Sequence, residues 1–113
     1  MPYLSKVSEE ISPGEIFNIY GQGITGDVLI AAYPADGEAS AVPPAGAYIL
    51  DASIIDESGF GYYASVIFPE ALTPGVYDIW VKNDYGWSLP IRLNEPIGLF
   101  MDEFEIYDGL EVR

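Results

Sequence analysis

The chain contains no cysteine and no histidine, and only 4 of its 113 residues are Lys or Arg. Without the first two there is no zinc site of the usual ligands, no Ser-His-Asp relay, no thiolate nucleophile and no disulfide. The scarcity of basic residues, set against 18 acidic ones for a formal charge of −14, argues against nucleic acid as a partner, because affinity for phosphate comes from counterions released at Lys and Arg. An anionic membrane surface is disfavoured for the same reason. No apolar run approaches the ~20 residues of a membrane helix, so a soluble chain without membrane insertion is expected. Met1-Pro2-Tyr3 carries neither the basic leader nor the apolar stretch of a secretory signal. Lack of cysteine leaves the redox compartment open. The chemistry still available is that of carboxylates, hydroxyls, carbonyls and aromatic faces.

Half of the residues are apolar and 14% are aromatic, enough to fill the core of one modest domain and unlike the composition of a disordered acidic chain. Twelve glycines and nine prolines punctuate the chain about every ten residues, and short runs rich in Val, Ile, Tyr and Phe lie between them, the rhythm of an all-β sandwich. Strands are expected at 3–7, 15–20, 28–33, 48–55, 60–68, 76–82 and 88–93. Turns are expected at Ser12-Pro13-Gly14, Gly21-Gln22-Gly23, Asp56-Glu57-Ser58-Gly59, Pro74-Gly75 and Asn83-Asp84-Tyr85-Gly86. Residues 34–46 read as a long loop, since Pro43-Pro44 cannot sit in a central strand; a short edge strand is the alternative there. The 60–68 run is the expected hairpin partner of 48–55. Only 69–72 suggests a helical turn, too short to be more than one. The predicted fold is an all-β, immunoglobulin-like β-sandwich of about seven to eight antiparallel strands.

Side chains of a strand alternate between faces, so the pattern names the core. Phe17 and Ile19 are expected inward, with Asn18 and Tyr20 outward. Tyr77, Ile79 and Val81 form an apolar set, which leaves Asp78, Trp80 and Lys82 on the other face and predicts Trp80 outside. Leu89, Ile91 and Leu93 are expected inward, with Ser88, Pro90 and Arg92 outward. The 62–68 strand is apolar on both faces; Tyr62, Ala64, Val66 and Phe68 are placed inward.

The opening pattern Val7, Ser12-Pro13-Gly14, Phe17-x-Ile19-x-Gly21-x-Gly23 resembles the start of an IPT/TIG domain. Phe68-Pro69, then Gly75-x-Tyr77-x-Ile79-x-Val81-x-Asn83 and Gly86-x-Ser88, is similar to the closing hairpin of that family. These matches cover 3–23 and 66–93, and they consist of turn and core residues common to many immunoglobulin-like modules, so they speak to fold before function. The resemblance implies a module of bacterial secreted or cell-surface proteins, often beside polysaccharide-processing domains. The family's transcription-factor branch grips DNA with basic loops, and this chain departs from it. After Asn94-Glu95-Pro96 the run 99–113 reads as a strand, a turn at Tyr107-Asp108-Gly109 and a second strand from Leu110, with Gly109-x-x-Val112 echoing Gly14-x-x-Phe17. The expected division is 1–96 for the sandwich and 97–113 for a linker plus the start of a following module, or a terminal strand.

Aromatic residues are the first site candidates. Trp80 beside Asp78, and Tyr85 with Trp87 at the 83–88 turn, offer the flat faces on which a sugar ring packs while its hydroxyls bond neighbouring polar groups; Tyr63, Tyr62 and Tyr33 would extend the platform. The structural alternatives are that Trp87 plugs one end of the sandwich and that Trp80 covers a sheet face or meets a neighbouring module. Carboxylates at Asp36-Gly37-Glu38, Asp56-Glu57 and Asn83-Asp84 are of the type calcium takes from loops, but without the spacing of a known calcium loop; solvated turn residues are the better reading, and no cofactor is expected. Eighteen acids make a hydrolase-like pair available by chance alone, and no insertion walls a deep cleft. Gly21-Gln22-Gly23-Ile24-Thr25-Gly26 lacks the Lys and the β-α setting of a phosphate loop. Three functions follow as expectations: a non-catalytic accessory module of a secreted or cell-surface protein, acting as spacer and docking platform for neighbouring domains of the same polypeptide; a dedicated carbohydrate-binding module; and a structural component of a larger assembly.

Overall fold

The computed structural model describes residues 2–8, 10–25, 27–55 and 60–95, and these form nine strands and no helix. In chain order they are β1 (Tyr3–Val7), β2 (Ile16–Gln22), β3 (Leu29–Pro34), β4 (Tyr48–Leu50), β5 (Ala52–Ile55), β6 (Tyr63–Ile67), β7 (Tyr77–Asn83), β8 (Gly86–Trp87) and β9 (Ile91–Leu93). All pairings are antiparallel. The first sheet has the order β1-β2-β6-β5, and the second runs β4-β3-β7, with both β8 and β9 on the far side of β7. The two sheets form a β-sandwich. The turn expected at 56–59 and the expected module start at 97–113 lie outside the described residues.

Alternation places the core as anticipated. Phe17 and Ile19 of β2, Ala64 and Val66 of β6, and Tyr77, Ile79 and Val81 of β7 are buried between the sheets. Phe68 sits at the centre, edge-on to Phe17 at 6.3 Å and to Tyr77 at 5.2 Å between ring centroids. Tyr62 departs from expectation and is exposed. It precedes β6, where no opposite sheet covers it, and stacks on Phe60 at 5.5 Å.

The run 48–55, expected as one strand, is two. β4 pairs with β3 in the second sheet and β5 with β6 in the first, so the chain changes sheet at Asp51. The Asp51 carbonyl accepts from the Ile67 N–H at 3.0 Å, which fixes the crossing point. Only β5 is therefore the hairpin partner of β6. Residues 35–47 hold no strand, in keeping with Pro43-Pro44.

Three bulges shape the edges. In β1 the register against β2 shifts between Leu4 and Lys6, making Ser5 the additional residue; in β5 it shifts against β6 between Ala52 and Ile54, making Ser53 additional. Each serine hydroxyl turns to a carbonyl of the neighbouring strand, Ser5 to Tyr20 and Ser53 to Ser65. The third lies between β8 and β9: Trp87 faces Lys82 while Ile91 faces Ile79, one residue out of register. It corrects the expectation for 88–93. Ser88 is fully buried, its N–H donating to the Val81 carbonyl at 2.7 Å and its hydroxyl accepting from the Val81 N–H at 3.0 Å, while Leu89 is squeezed outward beside Pro90, which has no N–H for the ladder. Ile91 and Leu93 pack on the core as expected.

Gly21 explains part of the opening pattern. A Cβ there would collide with the Tyr3 carbonyl oxygen across the β1–β2 pair, so only glycine lets these backbones meet. Asn94, in the left-handed region at φ 63°, clamps one end of the sandwich. Its Oδ1 accepts from the Ile11 N–H at 2.6 Å, and its Nδ2 donates to the carbonyls of Ile11 and Gly75.

Candidate functional site

On β7 the residues facing away from the core are Asp78, Trp80 and Lys82, and the pairing of Trp80 with Ala31 of β3 fixes that orientation. The face was read correctly and the exposure was not. Trp80 is 1% exposed, because residues 35–47 fold back over this side of the second sheet and its indole Nε1–H donates to the Ser40 carbonyl at 3.0 Å. A pocket of about 170 Å³ remains between loop and sheet, lined by Tyr33, Asp36, Glu38 and Pro44 among others.

Asp78 is buried as well and is consumed by structure. Its Oδ1 accepts from Arg92 Nε at 3.0 Å, and the same guanidinium donates from Nη2 to the Gly37 carbonyl at 2.8 Å. The strap is thus held at Gly37 by Arg92 and at Ser40 by Trp80. A charge-assisted bond to a buried carboxylate is well suited to such a tether.

Trp87 is half-buried on the same side, outside the core, so it does not plug the sandwich. The ammonium of Lys82 lies 5.7 Å from its ring centroid and occupies one face of it. Tyr85 is 86% exposed at the tip of the β7–β8 turn, whose shape Asn83 sets by accepting from the Tyr85 N–H and donating to the Gly23 carbonyl. Tyr63 belongs to the other sheet, opposite Tyr20. The five candidates therefore share no single surface.

The acidic candidates do not converge either. Among the described residues no three acidic side chains gather to hold a metal ion. Asn83 has spent its amide on the turn, and Asp56 and Glu57 lie outside the described residues. An open groove of about 810 Å³ brings Asp27, Asp51 and Asp84 near Lys82, with Leu29 and Ile49 as its apolar wall. In the core, burial pushes the Tyr77 phenol above its ordinary value, with Tyr48 adding to the rise, while its hydroxyl donates to the Thr73 carbonyl at 2.7 Å.

The outer face of the first sheet was missed as a site. None of the residues in β1, β2, β5 and β6 is Asp or Glu, and Lys6 is their only charged side chain, in a chain of net charge −14. Three outward pairs cross its centre: Tyr20 with Tyr63, Asn18 with Ser65, and Ile16 with Ile67. Ser65 Oγ donates to Asn18 Oδ1 at 2.6 Å, and Asn18 Nδ2 donates to the Tyr20 hydroxyl at 3.1 Å. Alternation had marked Asn18 and Tyr20 as outward, but the partner strand that assembles the face follows only from β2 pairing with β6. No family model matches the chain, and no curated protein matches it.

Proposed function

We propose that the chain is a non-catalytic, immunoglobulin-like accessory module of the IPT/TIG kind, from a larger secreted or cell-surface protein, serving as spacer and docking platform beside a polysaccharide-active domain. The observation that carries this reading is the strand order. A sheet of β1-β2-β6-β5 facing one of β4-β3-β7 plus β8 and β9 corresponds to the A-B-E-D and C-F-G arrangement of immunoglobulin sandwiches with one added edge strand. Tyr77 supports it, being placed at the start of the strand equivalent to F with its hydroxyl bonded to the backbone of Thr73, four residues upstream, as in the tyrosine corner of that architecture. Asp78 is spent on Arg92, and the groove that Asp27, Asp51 and Asp84 line is open and not a walled cleft of the kind glycoside hydrolysis uses. The test is incubation of the chain with soluble polysaccharides and assay of new reducing ends. None is expected, and turnover above the blank overturns the non-catalytic reading. The reading frame that carries the chain is expected to encode a polysaccharide-active domain.

A further inference from the structure

We infer that the outer face of the first sheet is a binding platform for an uncharged polysaccharide, with Tyr20 and Tyr63 stacking on sugar rings and Asn18, Ser65 and Gln22 supplying hydrogen bonds. This deepens the accessory-module reading and rests on it.

Charge supplies the first argument. A chain of −14 repels anionic polymers, and it draws cationic ones to its carboxylates. The strands of this face hold no acid at all, and Lys6, opposite Tyr20 at its border, is their one charge. With one lysine and no carboxylate among its strand residues, the face has little charge to steer or to neutralise, which suits a ligand that has none.

The arrangement of polar and apolar groups supplies the second. A protein partner is met by an apolar centre with a polar rim, and here the order is reversed: Asn18 and Ser65 occupy the middle row, with Ile16 and Ile67 on one side and the two tyrosines on the other. A polyhydroxylated chain fits a polar middle beside aromatic rings, since each sugar presents both a C–H face and a hydroxyl edge.

Preorganisation is the third. The phenol oxygen of Tyr20 already accepts from Asn18, whose own carbonyl is held by Ser65, so the phenol oxygen is held in place and its proton is left to donate to a ligand. Directly opposite residues on adjacent antiparallel strands have Cβ atoms about 4.5–5.5 Å apart, which puts Tyr20 and Tyr63 side by side as one platform. The polar ends of Tyr63 and Gln22 have no hydrogen-bond partner among the described residues.

Native gel electrophoresis of the whole chain through gels containing hydroxyethylcellulose, mixed-linkage β-glucan, xyloglucan or galactomannan, with polygalacturonate as the anionic control, tests the inference. At least one neutral polymer is expected to retard the chain, and polygalacturonate is expected to leave it unretarded. Tyr20→Ala and Tyr63→Ala should each weaken the retardation by about tenfold, the loss of one stacked ring, while Tyr85→Ala leaves it unchanged. Gln22→Ala, which removes no side-chain hydrogen bond among the described residues, should weaken it severalfold and keeps the test valid if a tyrosine variant fails to fold. Absence of retardation in every neutral polymer overturns the inference, as does retardation that survives both tyrosine changes or is abolished by Tyr85→Ala. So does sedimentation showing a dimer that Ile67→Lys dissociates, which would make this face a protein interface. Release of reducing ends in the same incubations would overturn the non-catalytic reading and leave the platform standing, whereas no retardation without hydrolysis would remove the platform alone.

Discussion

On the second sheet Trp80 points away from the core and is sealed beneath residues 35–47; on the first sheet Tyr20 also points away from the core and stays 39% exposed. Both aromatic residues occupy the outward positions of central strands. What separates them is a loop that crosses one face and spares the other. The crossing is tethered by Asp78, Arg92 and the Trp80 indole, so charge and aromatic area on that side serve the fold. On the spared side the aromatic rings remain exposed to meet a ligand. Strand alternation therefore tells which face a residue occupies, and long-range hydrogen bonds decide whether that face is a surface.

The contrast breaks most directly at Trp80. Trp80→Ala should cost about 3–5 kcal/mol in urea unfolding, the range for deleting a buried large aromatic, whereas Tyr20→Ala should stay within about 0.5 kcal/mol, as surface changes do. Equal losses would mean that the two faces are built alike. Asp78→Ala comes next, at about 1–3 kcal/mol, since it strips a partly buried guanidinium of its partner. A double-mutant cycle with Arg92→Ala checks this: the double change should cost less than the sum of the two single ones.

Tyr77→Phe should cost about 1 kcal/mol at neutral pH, the net worth of its hydrogen bond to Thr73, and it should also change the response to alkali. Burial raises the folded pKa of this phenol above the ordinary value of 10.0, so the unfolded chain gives up the proton first. The stabilisation is whole below about pH 10 and is lost as the pH climbs through the folded pKa. Thermal melts should therefore fall less steeply above pH 10 in Tyr77→Phe than in the parent chain, and identical slopes would refute the burial argument. The smallest effect is expected for Lys82→Met, about 0.5 kcal/mol from the cation over Trp87, together with a change in Trp87 emission while Trp80 emission stays constant.

Much of the sandwich was legible because period-two patterns and Gly/Pro turns are local signals. β1 was placed at its exact bounds, and the inward sets Phe17 with Ile19 and Tyr77 with Ile79 and Val81 were read from alternation alone. Non-local events were hidden. Asp51 looks like one polar residue in an apolar run, and only the Ile67 N–H donating to its carbonyl reveals a change of sheet. Leu89 reads as core until the bulge between β8 and β9 turns Ser88 inward in its place. Four of the five sugar-binding candidates were chosen for their aromatic rings and Asp78 for lying beside one, and only Tyr63 belongs to the acid-free sheet face. That face is a property of four strands brought together from residues 3–22 and 52–67, and no single segment announces it.

The serine bulges in β1 and β5 also bear on how crowded molecules treat one another. These strands are the two borders of the first sheet, and a straight border with free N–H and C=O groups invites another chain to add a strand and continue into an aggregate. An additional residue in each breaks the even spacing of those groups and twists the border away. A sheet with so little charge would otherwise have few defences in concentrated solution, and the bulges let it keep a nearly uncharged, sticky surface without becoming a template for fibres.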